Sequence, residues 1–235
     1  NAAIQATKKF VYSKVGDYKT YEVKNALNLL VLAGLLIPVT LTKANGIPLG
    51  SEADNSYSKM LFFDCGLMLR LLGITMGDTT TLTTQILTAT AADLVNKGIM
   101  AELVVGLELL HYMTPNLRHE LYYWTRIAKN SQAEVDYLQT SHLTILPIEV
   151  KAGSQGGMKS LWSFMREKHL TEAVRCSLEN FGEFIYTDKE DNNAARHVRI
   201  CPLYAISQIG KYSGPGSSLS NAEINAVREA KQQKP

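Results

Sequence analysis

The chain has 235 residues, enough for one large domain or two small ones, and its 46% hydrophobic and 20% charged residues match those of ordinary globular chains. A disulfide-stapled miniprotein and wholesale disorder are both excluded. Lys and Arg number 24 against 22 Asp and Glu, a net charge of +2, which is too balanced for a dedicated nucleic-acid coat, so any nucleic-acid contact is local.

The cysteines Cys65, Cys176 and Cys201 are odd in number, far apart and set among apolar residues. They read as reduced, buried thiols of a cytoplasmic protein. The most apolar stretch, 26–41, is shorter than the ~20 residues that a spanning helix needs. It also contains Asn28, Gly34 and Pro38, so no membrane association is expected. The first residues lack the order of a secretion signal, and Asn1 is not a natural start, which points to a piece of a longer protein.

Along the chain, Thr20 suits the cap of a helix whose apolar residues Val23, Ala26, Leu27, Leu30 and Val31 follow the 3.6-residue period. Gly34 suits its stop. The strand LIPVTLT, a polar turn-rich loop and the returning strand KMLFFD follow, then a short helix capped by Asp64. Helix, strand, long loop and strand outline a winged-helix-like module over 1–78, with 77–85 as a connector. Lys8, Lys9, Lys14, Lys19 and Lys24 give it a modest positive face, suited to phosphate contact or simply to solvent.

The second expected domain, 79–212, opens with a helix over 93–113. Three short strand-like segments follow at 121–127, 133–139 and 143–151, with turn-sized separators that favour an antiparallel meander. A helix over 158–168 and the strands EAVRCSL and VRICPLYAI complete an α/β sandwich with a mixed sheet. The tail, 213–235, is polar, with a capping-box pattern at Ser220 that predicts a short helix. Tyr122, Tyr123 and Trp124 read as core and cross-strand packing rather than a base-stacking platform. The five histidines have no close spacing with the cysteines, so no zinc site is expected.

The most informative chemistry lies in the meander. Glu149 and Lys151 bracket Val150 on one face of a strand, and Asp136 on the antiparallel neighbour can lie beside Glu149. Two carboxylates meeting at the end of a sheet suit a hard cation, magnesium or manganese, and a lysine two residues on can hold an activated water or the charge developing on a phosphate. A carboxylate at Glu149, inside the apolar run ILPIEV, is costly unless paired or metal-bound. Glu102, on the helix before the meander, offers a third carboxylate. A charged pair on the wet face of a strand is the plain alternative.

The ordered segments KFVYSKV, YEVKNALNLLVLAGLL, SKMLFFDCGLML, GIMAELVVGLELL, LYYWTR, AEVDYL, LPIEVKAG and PLYAIS resemble the C-terminal half of bacterial and archaeal AAA-type ATPases, from residue 9 to 207. The resemblance implies a winged-helix segment followed by a restriction-endonuclease-like PD-(D/E)XK domain of uncharacterised function, with the ATPase domain absent from this chain. By it, Glu102 matches the acidic residue of the first core helix, Asp136 the motif aspartate, and Glu149 and Lys151 the acidic-x-lysine pair. Val135 stands where a nuclease often has proline. The segment GSQGGMKS at 153–160 approaches a phosphate loop, but Met158 takes the place of its second glycine, so no nucleotide is expected.

The leading expectation is a divalent-metal-dependent nuclease, a hydrolase of phosphodiesters acting on nucleic acid, DNA above all. Asp136 and Glu149 hold the metal with the Val150 carbonyl as an extra ligand, Lys151 steadies water or phosphate, and Glu102 completes the site as ligand or proton acceptor. The alternative is a catalytically inactive regulatory or partner-binding module coupled to the missing ATPase, which would also set any oligomer.

Overall fold

Helix α1, Thr20–Leu32, has Lys19 rather than the expected Thr20 as its N-cap, because Glu22 reaches back to accept the Lys19 N–H at 2.8 Å in a capping box. It stops before Gly34, whose φ of +72° suits a residue without a Cβ. Val23 and Leu27 are its buried residues, whereas Leu30 stays exposed. Strand β1, Leu36–Thr42, coincides with LIPVTLT. Strand β2, Ala53–Phe62, begins well before KMLFFD because it is an edge strand, where water accepts the polar residues of ADNSYS. Helix α2, Cys65–Leu71, is capped as expected, with the Leu67 N–H donating to Asp64 Oδ1 at 2.7 Å.

The computed structural model describes residues 15–71, 97–111, 119–128, 131–141, 143–153 and 157–211. The boundary expected at 78/79, the connector, the tail, part of the 153–160 loop, and Lys8, Lys9 and Lys14 lie outside them. The second half supplies helix α3, Lys97–His111; strands β3, Leu121–Ala128, β4, Ser131–Ser141, and β5, Thr144–Val150; helix α4, Lys159–Glu167; and strands β6, Glu172–Ser177, β7, Gly182–Asp188, and β8, Ala194–Pro202. A 3₁₀ stretch, Leu203–Lys211, closes the described chain.

The eight strands of the described residues join one mixed sheet in the order β2-β1-β3-β4-β5-β6-β8-β7. The expected meander β3-β4-β5 is antiparallel, while β1 on β3, β5 on β6 and β6 on β8 are parallel. In place of a separate wing sheet, β1 pairs with β3, setting Val39 beside Leu121, so residues 15–71 extend the main sheet. A two-stranded ribbon is marginal alone, and this pairing buries Val39 completely. Strand β7 was not expected from GEFIYTD, whose side chains are mostly exposed or half-buried; its pairing with β8 makes it a strand.

Two apolar layers enclose the sheet. On one face α3, α2 and the 3₁₀ stretch cover Val39, Leu121, Tyr123, Tyr137, Ile148 and Val174. On the other, Leu161, Phe164 and Met165 of α4, the expected stripe, pack on Trp124, Val135, Leu138, Ala173 and Val198. Each such fully buried side chain contributes about 1.5–3 kcal/mol of transfer free energy. Cys176 and Cys201 face each other across β6 and β8 as buried free thiols, and Cys65 is half-buried. Among the described residues, no helix is long and apolar enough to cross a membrane.

Helix α3 lies so close to the sheet that a Cβ on Gly106 would meet Leu61 Cδ1 and the Tyr137 hydroxyl, both at 2.5 Å. Leu61 can turn away, but Tyr137 is pinned by its hydrogen bond to the Glu102 carbonyl at 2.7 Å. In an open helix, Gly→Ala gains up to about 1 kcal/mol. Here Gly106→Ala is expected to lower stability by about 1–3 kcal/mol through overpacking, read as a fall in the urea midpoint.

Candidate functional site

Strand β4 carries an irregularity that builds the site. Tyr122 pairs with Leu138 and Trp124 with Val135, so Asp136 and Tyr137 together face the single residue Tyr123. Such a bulge breaks strict alternation and re-aims side chains. Tyr137 enters the α3-side core, and Asp136 sends its carboxylate to the line along which β4 and β5 part. There Asp136 Oδ2 accepts the Val150 N–H at 2.8 Å, taking over from the backbone ladder whose last pair is Tyr137 with Ile148.

Three carboxylates meet at this point. One oxygen each from Glu102 on α3 and from Glu134 and Asp136 on β4 lie within 4.8 Å of one another. Into the group reaches Lys59 of β2, its Nζ 2.8 Å from Glu102 Oε1 and 2.7 Å from Glu134 Oε1. Lys59 is only 1% exposed, and its ammonium stands 4.9 Å from the centre of the Tyr123 ring. Burial pulls against that charge, yet Glu102, Asp136 and Glu134 more than reverse the effect and hold the lysine pKa above its ordinary value. Glu102 is pushed the other way, up to about 7, because burial outweighs the attraction of Lys59.

Glu149 stands outside the three-carboxylate group and forms a close pair with Lys151, whose Nζ donates to Glu149 Oε1 at 2.6 Å. Continuing the β4–β5 register makes Asp136 its facing residue, and the negative charge of Asp136 acts on it. Burial, then Asp136, push the Glu149 carboxyl up to about 7 against the pull of Lys151. Among the described residues, Glu149 Oε2 receives no hydrogen bond although it is buried. An orphaned buried oxygen of this kind is costly.

Of the four residues expected from the sequence, Glu102 and Asp136 come together, and Glu149 with Lys151 form a neighbouring pair joined to them through Asp136. The residues not foreseen are Lys59 and Glu134. Glu134 had a readable signal, since it precedes Asp136 by two residues, the strand repeat. Lys59 had none beyond being a cation that opens an apolar run. Of the aromatic triplet expected in the core, Tyr123 and Trp124 are buried, with Trp124 4.8 Å from Phe164, whereas Tyr122 is only half-buried and donates its hydroxyl to Glu120.

The donor set is all carboxylate, which fits a hard divalent cation, and the orphaned Glu149 Oε2 beside Asp136 is the oxygen that such an ion would satisfy. Without a cation, the raised pKa has a stability consequence. Between 4.5 and about 7 the folded chain keeps the Glu149 proton that the unfolded chain has released, so this group's contribution falls as pH rises through that window. In chelator, Glu149→Gln is therefore expected to melt with the wild type at pH 4.5 and to gain about 1–3 kcal/mol over it by pH 8. A pH-independent difference would show that Glu149 keeps its charge in the folded chain.

A family model described as a domain of unknown function (DUF4143) matches residues 97–206, the stretch from α3 through the start of the closing 3₁₀ turn. Comparison with curated proteins and with solved structures returns no match.

Proposed function

We propose that the chain carries a divalent-metal-dependent site for phosphodiester hydrolysis, built on a restriction-endonuclease-like PD-(D/E)XK body and acting on nucleic acid, DNA first. The observation that carries this reading is the buried Glu149 oxygen without a hydrogen bond, set beside Asp136 and two residues from Lys151. Domains of the matched description are commonly found in proteins associated with AAA-type ATPases, which supports the reading of this chain as part of such an assembly.

In this proposal Asp136 and Glu149 hold magnesium or manganese, with the Val150 carbonyl as an added oxygen. The bound cation supplies Lewis acidity at the phosphate and a more acidic water. The Val150 N–H orients Asp136 by fixing Oδ2, which leaves Oδ1 for the ion. Lys151, partly exposed where Glu149 is buried, presents its ammonium to the scissile phosphate or to the attacking water. Glu102, hydrogen-bonded to Lys59, keeps the acidic group in place beneath Asp136 and serves as the deeper proton acceptor. Water oxygen bonds to phosphorus, the ester P–O bond breaks, and the departing oxygen takes a proton, leaving one phosphate monoester end and one hydroxyl end.

A second reading has an observation of its own. Lys59 already gives Glu102 and Glu134 a cationic partner, as in a nuclease-like body kept as a non-catalytic regulatory or partner-binding module. Cleavage of single- and double-stranded DNA and RNA with magnesium or manganese decides between them. Hydrolysis is expected to depend on the metal and to fall by on the order of 10²-fold or more in Asp136→Ala and in Lys151→Ala. Absence of metal-dependent cleavage on every substrate supports the binding module, and activity that survives both substitutions places the chemistry elsewhere.

A further inference from the structure

We infer that Lys59 is the resident cation of the acidic group and limits this chain to one divalent ion, held at Asp136 and Glu149; the location of that ion rests on the reading above. Three carboxylates, Glu102, Glu134 and Asp136, gather where β4 and β5 part, and a fourth, Glu149, stands outside that group on β5, paired with Lys151. The ammoniums set against them are Lys59 and Lys151. When all four carboxylates are ionised, these two ammoniums leave two negative charges unmatched, the charge of a single divalent ion.

The geometry assigns the places. Lys59 Nζ sits at hydrogen-bond distance from both Glu102 and Glu134, 2.8 and 2.7 Å, between the two oxygens that a second ion would need at about 2.0–2.6 Å. Two cations cannot share those oxygens, because their repulsion is weakly screened in a buried site. Nor does Lys59 leave readily: it is 1% exposed, stacked over Tyr123 and fixed in a β-strand, so its local concentration at the carboxylates is permanent. At Glu149 the neighbouring ammonium, Lys151, takes only Oε1, at 2.6 Å, and among the described residues Oε2 has no hydrogen bond. Lys59 lies on β2, outside the 97–206 segment that the family model matches, so the N-terminal strands complete the electrostatics of a site whose carboxylates all lie within that segment.

The test is ion counting with manganese alone on the full chain, by equilibrium dialysis and by the spin-resonance signal of free Mn²⁺. The wild type is expected to bind one ion. Lys59→Met and Lys59→Gln are each expected to bind one more than the wild type, in the place the ammonium vacates. Glu149→Gln is expected to remove the wild-type ion but to leave the extra ion of Lys59→Met. Equal counts in the wild type and in folded Lys59 variants overturn the inference. So do two ions on the wild type, a result that needs no variant to fold. A wild type that binds none, with Lys59→Met gaining one, supports the resident lysine while overturning the Asp136–Glu149 metal reading.

Discussion

A buried ammonium is tolerable only where carboxylates surround it, and Lys59 is held in this way by groups from two other elements. Desolvating a charge costs several kcal/mol, and the cost is recovered only when partners are close and well oriented. Glu102 arrives from α3 and Glu134 from β4, so a single side chain on β2 ties the edge of the sheet, its central hairpin and the covering helix into one electrostatic unit. Removing either side of that unit leaves buried charge uncompensated, which is why the helix, the bulged strand and the N-terminal strands depend on one another.

The bulge at Asp136 and Tyr137 gives this unit its shape. Tyr137 turns into the core and hydrogen-bonds the α3 backbone at the Glu102 carbonyl. That contact sets the approach of α3, which Gly106 then allows to be close. Asp136 lies at the opening of the β4–β5 fork, bonded to the Val150 N–H and acting on both Glu102 and Glu149. The polar junction is thus supported by packing on one side and by carboxylate chemistry on the other.

Much of this was legible in advance because local periodicity is a local property. The meander and the α4 stripe follow from period-2 and period-3.6 patterns together with turn-sized spacers, whereas the bulge that aims Asp136 breaks the alternation and has no local signal. Strand β7 was not legible, since GEFIYTD has too little apolar content to declare itself, and only its pairing with β8 makes it a strand. The start of β2 was misplaced for a related reason, because an edge strand tolerates polar residues that read as loop.

Local pattern was enough to read an α/β chain with a mixed sheet, a short list of acidic residues and the lysine beside Glu149. Folding was needed to bring β1 and β2 onto the main sheet, Glu134 to Glu102 and Asp136, and Lys59 into the space among them. The reason is physical: hydrophobic pattern reports which face of an element is apolar, whereas the charge that neutralises a buried carboxylate is chosen by whatever the fold brings within about 3 Å. Lys59 and Glu102 are 43 residues apart, and no local pattern encodes their meeting.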